Sequence, residues 1–437
     1  MIVKKKENTN WGNNTKTYPK IYEPKNYREI QKVINNNKNF VIQGNRRSFG
    51  DGGLNKNKVL SMKNFNKIIS FDSIKGIIEA ESGLLLNDLL PVITEKGWFL
   101  ALTPGTKYVS LGGMIANNVV GKNTYNNQIK YHIKKIKLMK ADKKIITCSK
   151  KNNKKIFDLT IGGFGLTGII LTVTFKLKKI YSKNIEQELV EFNNFKEFYR
   201  ISKNSKKYEY SVCWIDNFNN KKIQGLYHLG NHSKQKIYRN SENFIFKKMG
   251  LLVLLIFRII NSNYILPKLL NFIFRNYKKI FYKKICHYNE FFYPQDNVPY
   301  WNKIYGKRGF IQIQFLIPEN KFQVILNKIS VFLNKNKIFS IFIVIKKFNE
   351  KGKYLNFSGK GYSISFDFGI DKKQYILKSF LNTMFEKYKL KVNFTKDLIT
   401  NKNNVNNYKE FKMFKKSLLK ISSNRKIASL LSKRLEI

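Results

Sequence analysis

Three glycine-rich clusters constrain this chain more than anything else in it: GNRRSFGDGG from Gly44 to Gly53, TPGTKYVSLGGMIANNVVGKN from Thr103 to Asn123, and IGGFGLTGIILTVTF from Ile161 to Phe175. A backbone that leaves the apolar run NFVIQ and turns through several glycines can aim consecutive N–H groups into one concavity, which suits a phosphate or pyrophosphate. One such turn alone reads as a solvated loop; three of them point to a cofactor held between them. The third cluster contains GxGxxG at Gly163, Gly165 and Gly168. A dinucleotide fingerprint needs a helix next, whereas the β-branched and aromatic run Ile169 to Phe175 reads as a strand. These glycines are expected to turn the chain sharply or to lie flat against a ligand.

At 437 residues the chain exceeds one compact core and predicts two or three units. A formal charge of +54 ordinarily points to nucleic acid or an anionic membrane. The lysines, however, are spread through every segment together with abundant Asn, Ile, Phe and Tyr, as AT-rich codons produce, and no nucleic-acid module accompanies them. No specific nucleic-acid partner is expected. Cys148, Cys213 and Cys286 form no CxxC pattern and point to a reducing interior. The four histidines show no metal-ligand spacing, so no metal is expected. The start, MIVKKKENTNWG, lacks the apolar core of a signal peptide. The apolar segment Met249 to Phe274 is interrupted by Arg258, Asn261 and Pro267 before it can span a bilayer. Basic residues flank it, leaving two readings open: a helix lying in the membrane interface, or a pair of buried amphipathic helices.

Up to about Ile180, short β-branched runs such as KVLSM and GIIEAESG alternate with helical stretches such as NDLLPVITEKG. From about Tyr181 to Leu390, strand-like runs (YSVCWI, GFIQIQFLI, SIFIVIKKF, GYSISFDFGI) alternate with amphipathic helices. That order predicts an antiparallel sheet with helices on one face. The tail from Lys391 begins as strand and ends as helix.

Taken in order, the three clusters, together with YSVCWID (Tyr210 to Asp216), FFYPQD with WNKIYGKRGFIQIQF (Phe291 to Phe315) and FTKD (Phe394 to Asp397), resemble the flavin oxidases of the vanillyl-alcohol-oxidase and p-cresol-methylhydroxylase type. Within that superfamily the likeness is to the polyprenylphosphoryl-ribose 2'-oxidases. The resemblance implies an α+β fold: a two-lobed FAD-binding domain over residues 1–180, a substrate domain over 181–390 that includes segment 249–274, and a tail, 391–437, returning to the cofactor domain. It implies FAD contacts from Gly44, Asn45, Arg46, Arg47, Ser48, Phe49, Gly50 and Asp51, with Ser48 as an extra hydroxyl donor. Gly105, Ser110, Leu111, Gly112, Gly113, Asn117, Lys122 and Ile169 complete the cofactor set. Some relatives tether the flavin through a histidine; Arg47 stands in that place, so the FAD is expected to be non-covalent. A further departure is Val120, where the resembled oxidases carry histidine.

For chemistry, the resemblance singles out Lys396, positioned to favour negative charge on a reduced flavin and to orient the reacting hydroxyl. Gln312 and Gln314 alternate on a strand and share one side, which points to a polar pocket. Lys346, Asp367, Ser365 and Asn123 are expected at the substrate, Lys346 against a phosphate. Tyr293 and Trp301 read as packing residues. The implied reaction oxidises a secondary sugar alcohol to a ketone, on polyprenyl-phosphoryl ribose at C2', with a separate NAD(P)H-dependent ketoreductase completing an epimerisation to arabinose. The expected location is cytoplasmic, at the inner face of the membrane. The alternatives are a soluble aldonolactone or alditol oxidase and, from another class, a basic nucleic-acid-binding protein.

Overall fold

In the computed structural model the described residues are 1–124, 128–219, 222–235, 271, 275–276, 282–298, 300–340, 342–350, 352, 354–406, 408–421 and 426–437. Apart from Asn271, the segment Met249 to Phe274 lies outside them.

The first 180 residues build two larger sheets and two short two-stranded ones, Asn8–Thr9 with Lys16–Thr17 and Trp98–Phe99 with Lys178–Lys179. In one larger sheet, Ile2–Lys5, Lys20–Glu23, Lys58–Ser61 and Val41–Gln43 lie side by side in that order, the last three parallel. Parallel neighbours need a crossover, and the helix Tyr27–Asn36 supplies one. Asn26 caps it by accepting the Glu29 N–H, and Ile30, Val33 and Ile34 bury one face. The second sheet is antiparallel, in the order Ile145–Ser149, Ile133–Met139, Ile169–Lys176, Ile77–Glu81, Ile68–Asp72. The run after GxGxxG is thus its central strand. Gly165 and Gly168 enter it with φ of +75° and +148°, which side chains rarely adopt.

An eight-stranded antiparallel sheet follows, in the order Ile285–His287, Asn184–Phe192, Lys222–His232, Tyr210–Asn219, Ile343–Glu350, Gly359–Gly369, Phe310–Ile317, Lys391–Val392. Its two faces differ because side chains alternate along a strand. Ile311, Ile313, Phe315 and Ile317 share one core with Phe198, Phe322 and Leu377 from the helices Phe195–Asn204, Phe322–Lys335 and Gln374–Tyr388. Gln312, Gln314, Val344, Lys346, Ser365 and Asp367 point the other way, into a cavity. The strands carrying them are in register, with Gln312 opposite Asp367 and Gln314 opposite Ser365.

The tail crosses back to the first sheet. Phe40 bridges Ile427, and the Leu430 N–H donates to the Leu54 carbonyl. Arg434 in the last helix, Leu430–Leu435, pairs with Asp51 at 3.0 Å and Asp397 at 3.1 Å; the carboxylates are 7% and 0% exposed. Removing the only cation of a buried triad leaves two uncompensated charges, so Arg434→Ala should cost about 3–5 kcal/mol of stability, measurable by urea unfolding. A loss below about 1 kcal/mol would place the triad in effectively solvated surroundings.

Candidate active site

The strand Val41–Gln43 is parallel to its neighbour, and its carboxyl end delivers the chain into the first glycine cluster, the place where open parallel sheets bind ligands. Arg46 there has φ of +53°, a left-handed conformation rare for a residue with a side chain. Such a residue turns successive N–H groups to one side, and among the described residues the N–H groups of 45–49 donate to no protein acceptor. The Asn45 side chain donates through Nδ2 to the Tyr108 carbonyl at 2.7 Å, joining the first cluster to the second.

These loops form one wall of a cavity of ≈ 830 Å³. Gly44, Asn45, Arg46, Arg47, Ser48, Phe49, Gly105, Ser110, Gly112, Gly113, Asn117 and Lys122 line it. A Cβ placed on lining residues Gly53, Gly105 or Gly165 would meet no protein atom within 4 Å, so their missing side chains keep space open for a ligand. Ser110 accepts the Gly113 N–H and caps the short helix Leu111–Ala116. A cavity lined by a loop with unpartnered backbone N–H groups and by side-chain-free backbone fits an FAD: residues 45–49 would hold its pyrophosphate, and Gly105, Gly112 and Gly113 would lie against its ring.

Other expected cofactor residues stand elsewhere. Leu111 is buried in the core, its N–H donating to the Leu84 carbonyl; Ile169 is likewise interior, and its neighbour Ile170 lines the cavity instead. The Gly50 N–H is spent on the Thr395 carbonyl, and Asp51 is held by Arg434. The Ser48 hydroxyl, expected to serve a ligand, donates to the Thr395 carbonyl at 2.8 Å. Asn123, expected at the substrate, donates to the Ala101 carbonyl and does not line the cavity.

The opposite wall is the polar face of the large sheet. Gln314 is locked at both ends, donating to Ser363 Oγ and accepting from Asn393 Nδ2, each at 2.8 Å. Gln312 donates to Asp367 Oδ1 at 2.6 Å, and its own Oε1 is buried with no partner among the described residues, an acceptor open to a ligand hydroxyl. Burial pushes the Asp367 carboxyl well up, against the opposing effects of Gln312 and Lys396. Burial pushes the Lys396 ammonium down, against the attraction of Asp367. Lys346 is pushed down to about 7 by burial first and by the charges of Lys396 and Lys122 second. Three lysines and one carboxyl therefore converge, and the Lys396 ammonium also lies 5.6 Å from the Phe49 ring of the first loop. Ser365 lines the same wall, its hydroxyl 3.4 Å from the Val344 carbonyl. Val120 lines the cavity and packs against Leu316, Phe348 and Phe357. The His/Cys/Asp/Glu side chains form no cluster of three or more suited to a metal among the described residues.

Sequence reading missed residues that only tertiary contact brings in. Trp11, remote from every motif, lies under the Arg47 guanidinium at 4.0 Å, with Tyr108 at 5.2 Å. Asp296 accepts from Thr106 Oγ1 and the Lys107 N–H at 2.8 and 2.7 Å, tying the segment above the cavity to the second loop. Asn393 carries no motif of its own; its signal was the demand of a buried glutamine for partners.

Residues 19–149 match the FAD binding domain family. Over 299 residues the chain is 26% identical to a decaprenylphosphoryl-beta-D-ribose oxidase of Mycolicibacterium smegmatis, an alignment covering 64% of this chain and 63% of that protein. It is 28% identical over 177 residues to the L-gulonolactone oxidase of Mus musculus, covering 38% of this chain and 39% of that one. With a putative D-arabinono-1,4-lactone oxidase of Neurospora crassa it shares 25% over 177 residues, 39% of this chain and 32% of that one. The chain thus spans less than two thirds of the length of these relatives. Residues 19–149, which contain the first two glycine clusters and the parallel strand feeding the first of them, are an FAD binding domain.

Proposed function

We propose that this chain is an FAD-dependent oxidoreductase that oxidises a secondary sugar alcohol to a ketone, on a substrate carrying an anionic group, with polyprenyl-phosphoryl ribose at C2' as the specific reading. The observation that carries it is the meeting, in one cavity, of Lys346, Asp367 and Gln312 from the sheet's polar face with Lys396, which stands beside the first glycine loop. Bound FAD supplies a two-electron acceptor. Gln312 Oε1 accepts the hydrogen bond of a substrate hydroxyl and orients it. Asp367, whose carboxyl burial pushes up, can hold the hydroxyl proton near neutral pH. Lys396 would set a positive charge beside bound FAD, and Lys346 would offer its ammonium to a phosphoryl oxygen.

The names of the mycobacterial and mouse relatives separate two readings, a lipid-linked ribose and a lactone. Lys346 favours the first, since a neutral lactone gives a buried ammonium no counter-charge. The epimerising ketoreductase partner, residence at the inner face of a membrane and the two-lobed division of the cofactor region belong to the same proposal. No helix among the described residues is long and apolar enough to cross a membrane.

Two expected results test it. With the Lys346 ammonium lost as pH rises through about 7, affinity for a phosphorylated substrate should weaken roughly fivefold between pH 7 and 8. Lys346→Met should bind weakly at every pH. A parental affinity flat across that range removes Lys346 from the anion site. The cofactor, with Arg47 in place of a tethering histidine, should stay in the supernatant after acid precipitation; colour in the pellet would establish a covalent link and end the non-covalent reading.

A further inference from the structure

Arg434 lies outside the cavity and 37 positions beyond Asp397, yet every N–H of its guanidinium is engaged. Nε and Nη2 fork onto the Asp51 carboxylate at 3.1 and 3.0 Å. Nη1 donates to Asp397 Oδ2 at 3.1 Å and to the Thr400 carbonyl at 2.7 Å, and Nη2 donates to the Asp397 carbonyl at 3.0 Å. All five donors of the fixed planar fork are spent on two short stretches of chain. One stretch ends the first glycine loop, and the other follows Lys396 directly.

Those stretches also touch next to the fork. The Thr395 carbonyl accepts from both Ser48 Oγ at 2.8 Å and the Gly50 N–H at 3.2 Å. A Cβ on Gly50 would stand 2.9 Å from that carbonyl oxygen and 3.1 Å from that of Asp397, so the loop and the lysine segment lie backbone to backbone. On its other side the segment is fixed by Asn393, whose side chain accepts from the Thr395 N–H and hydroxyl and donates to Gln314. Lys396 is thus suspended between the sheet wall, through Asn393, and the cofactor loop, through Thr395 and the Arg434 clamp.

We propose that Arg434 is a positioning residue that holds Lys396 in register with the residue 44–49 loop, so that the C-terminal helix controls turnover without entering the cavity. The inference rests on the oxidoreductase reading for what Lys396 does, but not for where the clamp holds it. A fork is needed because a single cation cannot satisfy Asp51, the Asp397 carboxylate and two carbonyls in fixed directions. Loosening it leaves the N–H groups of residues 45–49 in place while freeing the lysine to shift against Asp367.

Arg434→Lys and Asp51→Asn, purified with FAD, test this. Both should hold the cofactor. Their anaerobic flavin reduction per bound FAD should fall about tenfold, with the half-saturating substrate concentration unchanged. In cofactor-free protein, competitive acetylation read on the Lys396 peptide should show its reactivity moving toward the pH range of an ordinary lysine. Parental rates per FAD together with a parental labelling profile would overturn the proposal and leave Arg434 a purely structural clamp. Should Arg434→Lys not fold, Asp51→Asn, which keeps its shape and the Asp397 half of the clamp, decides the question. The labelling arm needs neither FAD nor substrate, so a parental protein that never reduces its flavin contradicts the function while this inference is still tested.

Discussion

The Lys396→Ala variant is expected to remain yellow and to lose a hundredfold or more in the rate at which substrate reduces its flavin. In the proposed site FAD is held by the loop amides and the glycine wall, none of which Lys396 supplies, so the variant should load FAD normally. In the proposed reaction the lysine acts on charge that develops, and removing a preorganised cation from a buried site typically costs about 3 kcal/mol of transition-state stabilisation. The loss is not only Coulombic. Lys396 and Asp367 balance each other against burial, so without the ammonium Asp367 moves further toward its protonated form and ceases to accept the hydroxyl proton. Rapid-mixing absorbance under anaerobic conditions checks this; reduction at the parental rate makes Lys396 a bystander.

Gly113→Val should do the reverse, giving a folded protein without colour. A Cβ at Gly113 would lie 3.1 Å from Ser110 Oγ and 3.8 Å from Val109 Cγ2, both in side chains that line the cavity. The fold can yield there by turning one hydroxyl, at the cost of the Ser110 cap on Leu111–Ala116, worth about 1 kcal/mol. A flat ring lying against this backbone cannot yield, so the branched side chain should exclude it. Far-ultraviolet circular dichroism like the parent's, with no visible absorbance, is the expected pair of observations. Stoichiometric FAD in the variant would take this loop out of the site.

Much of this architecture was legible because it rests on local rules. The turn into Ile169–Lys176 was readable from β-branched residues after glycine, and the two-faced sheet from alternation in GFIQIQFLI. That alternation put Gln312 and Gln314 on one side. It could not say that Asp367 stands opposite Gln312, because register between strands tens of residues apart is set by the packing of Ile313, Phe315, Ile364 and Phe366 beneath them. The same limit applies to groups that the protein itself engages. Asp51, Ser48 and Gly50 sit in a phosphate-type loop and look like ligand groups, but the returning tail, through Arg434 and Thr395, occupies them. Nothing local marks Arg434 among the many basic residues of the tail. Its role appears only when the last helix is seen against the first loop.

In the proposed reaction the cavity between the glycine loops and the sheet's polar face joins FAD to an anionic sugar alcohol. The most direct measurement is the visible spectrum of the FAD-loaded protein during anaerobic titration with a polyprenyl-phosphoryl ribose, with free ribose, L-gulonolactone and an alditol in parallel. Full bleaching by the phosphoryl-ribose, with little or none by the free sugars and lactone, is the predicted result. Bleaching by the lactone or alditol with the phosphoryl-ribose inert, or an unchanged spectrum with every compound, would contradict it.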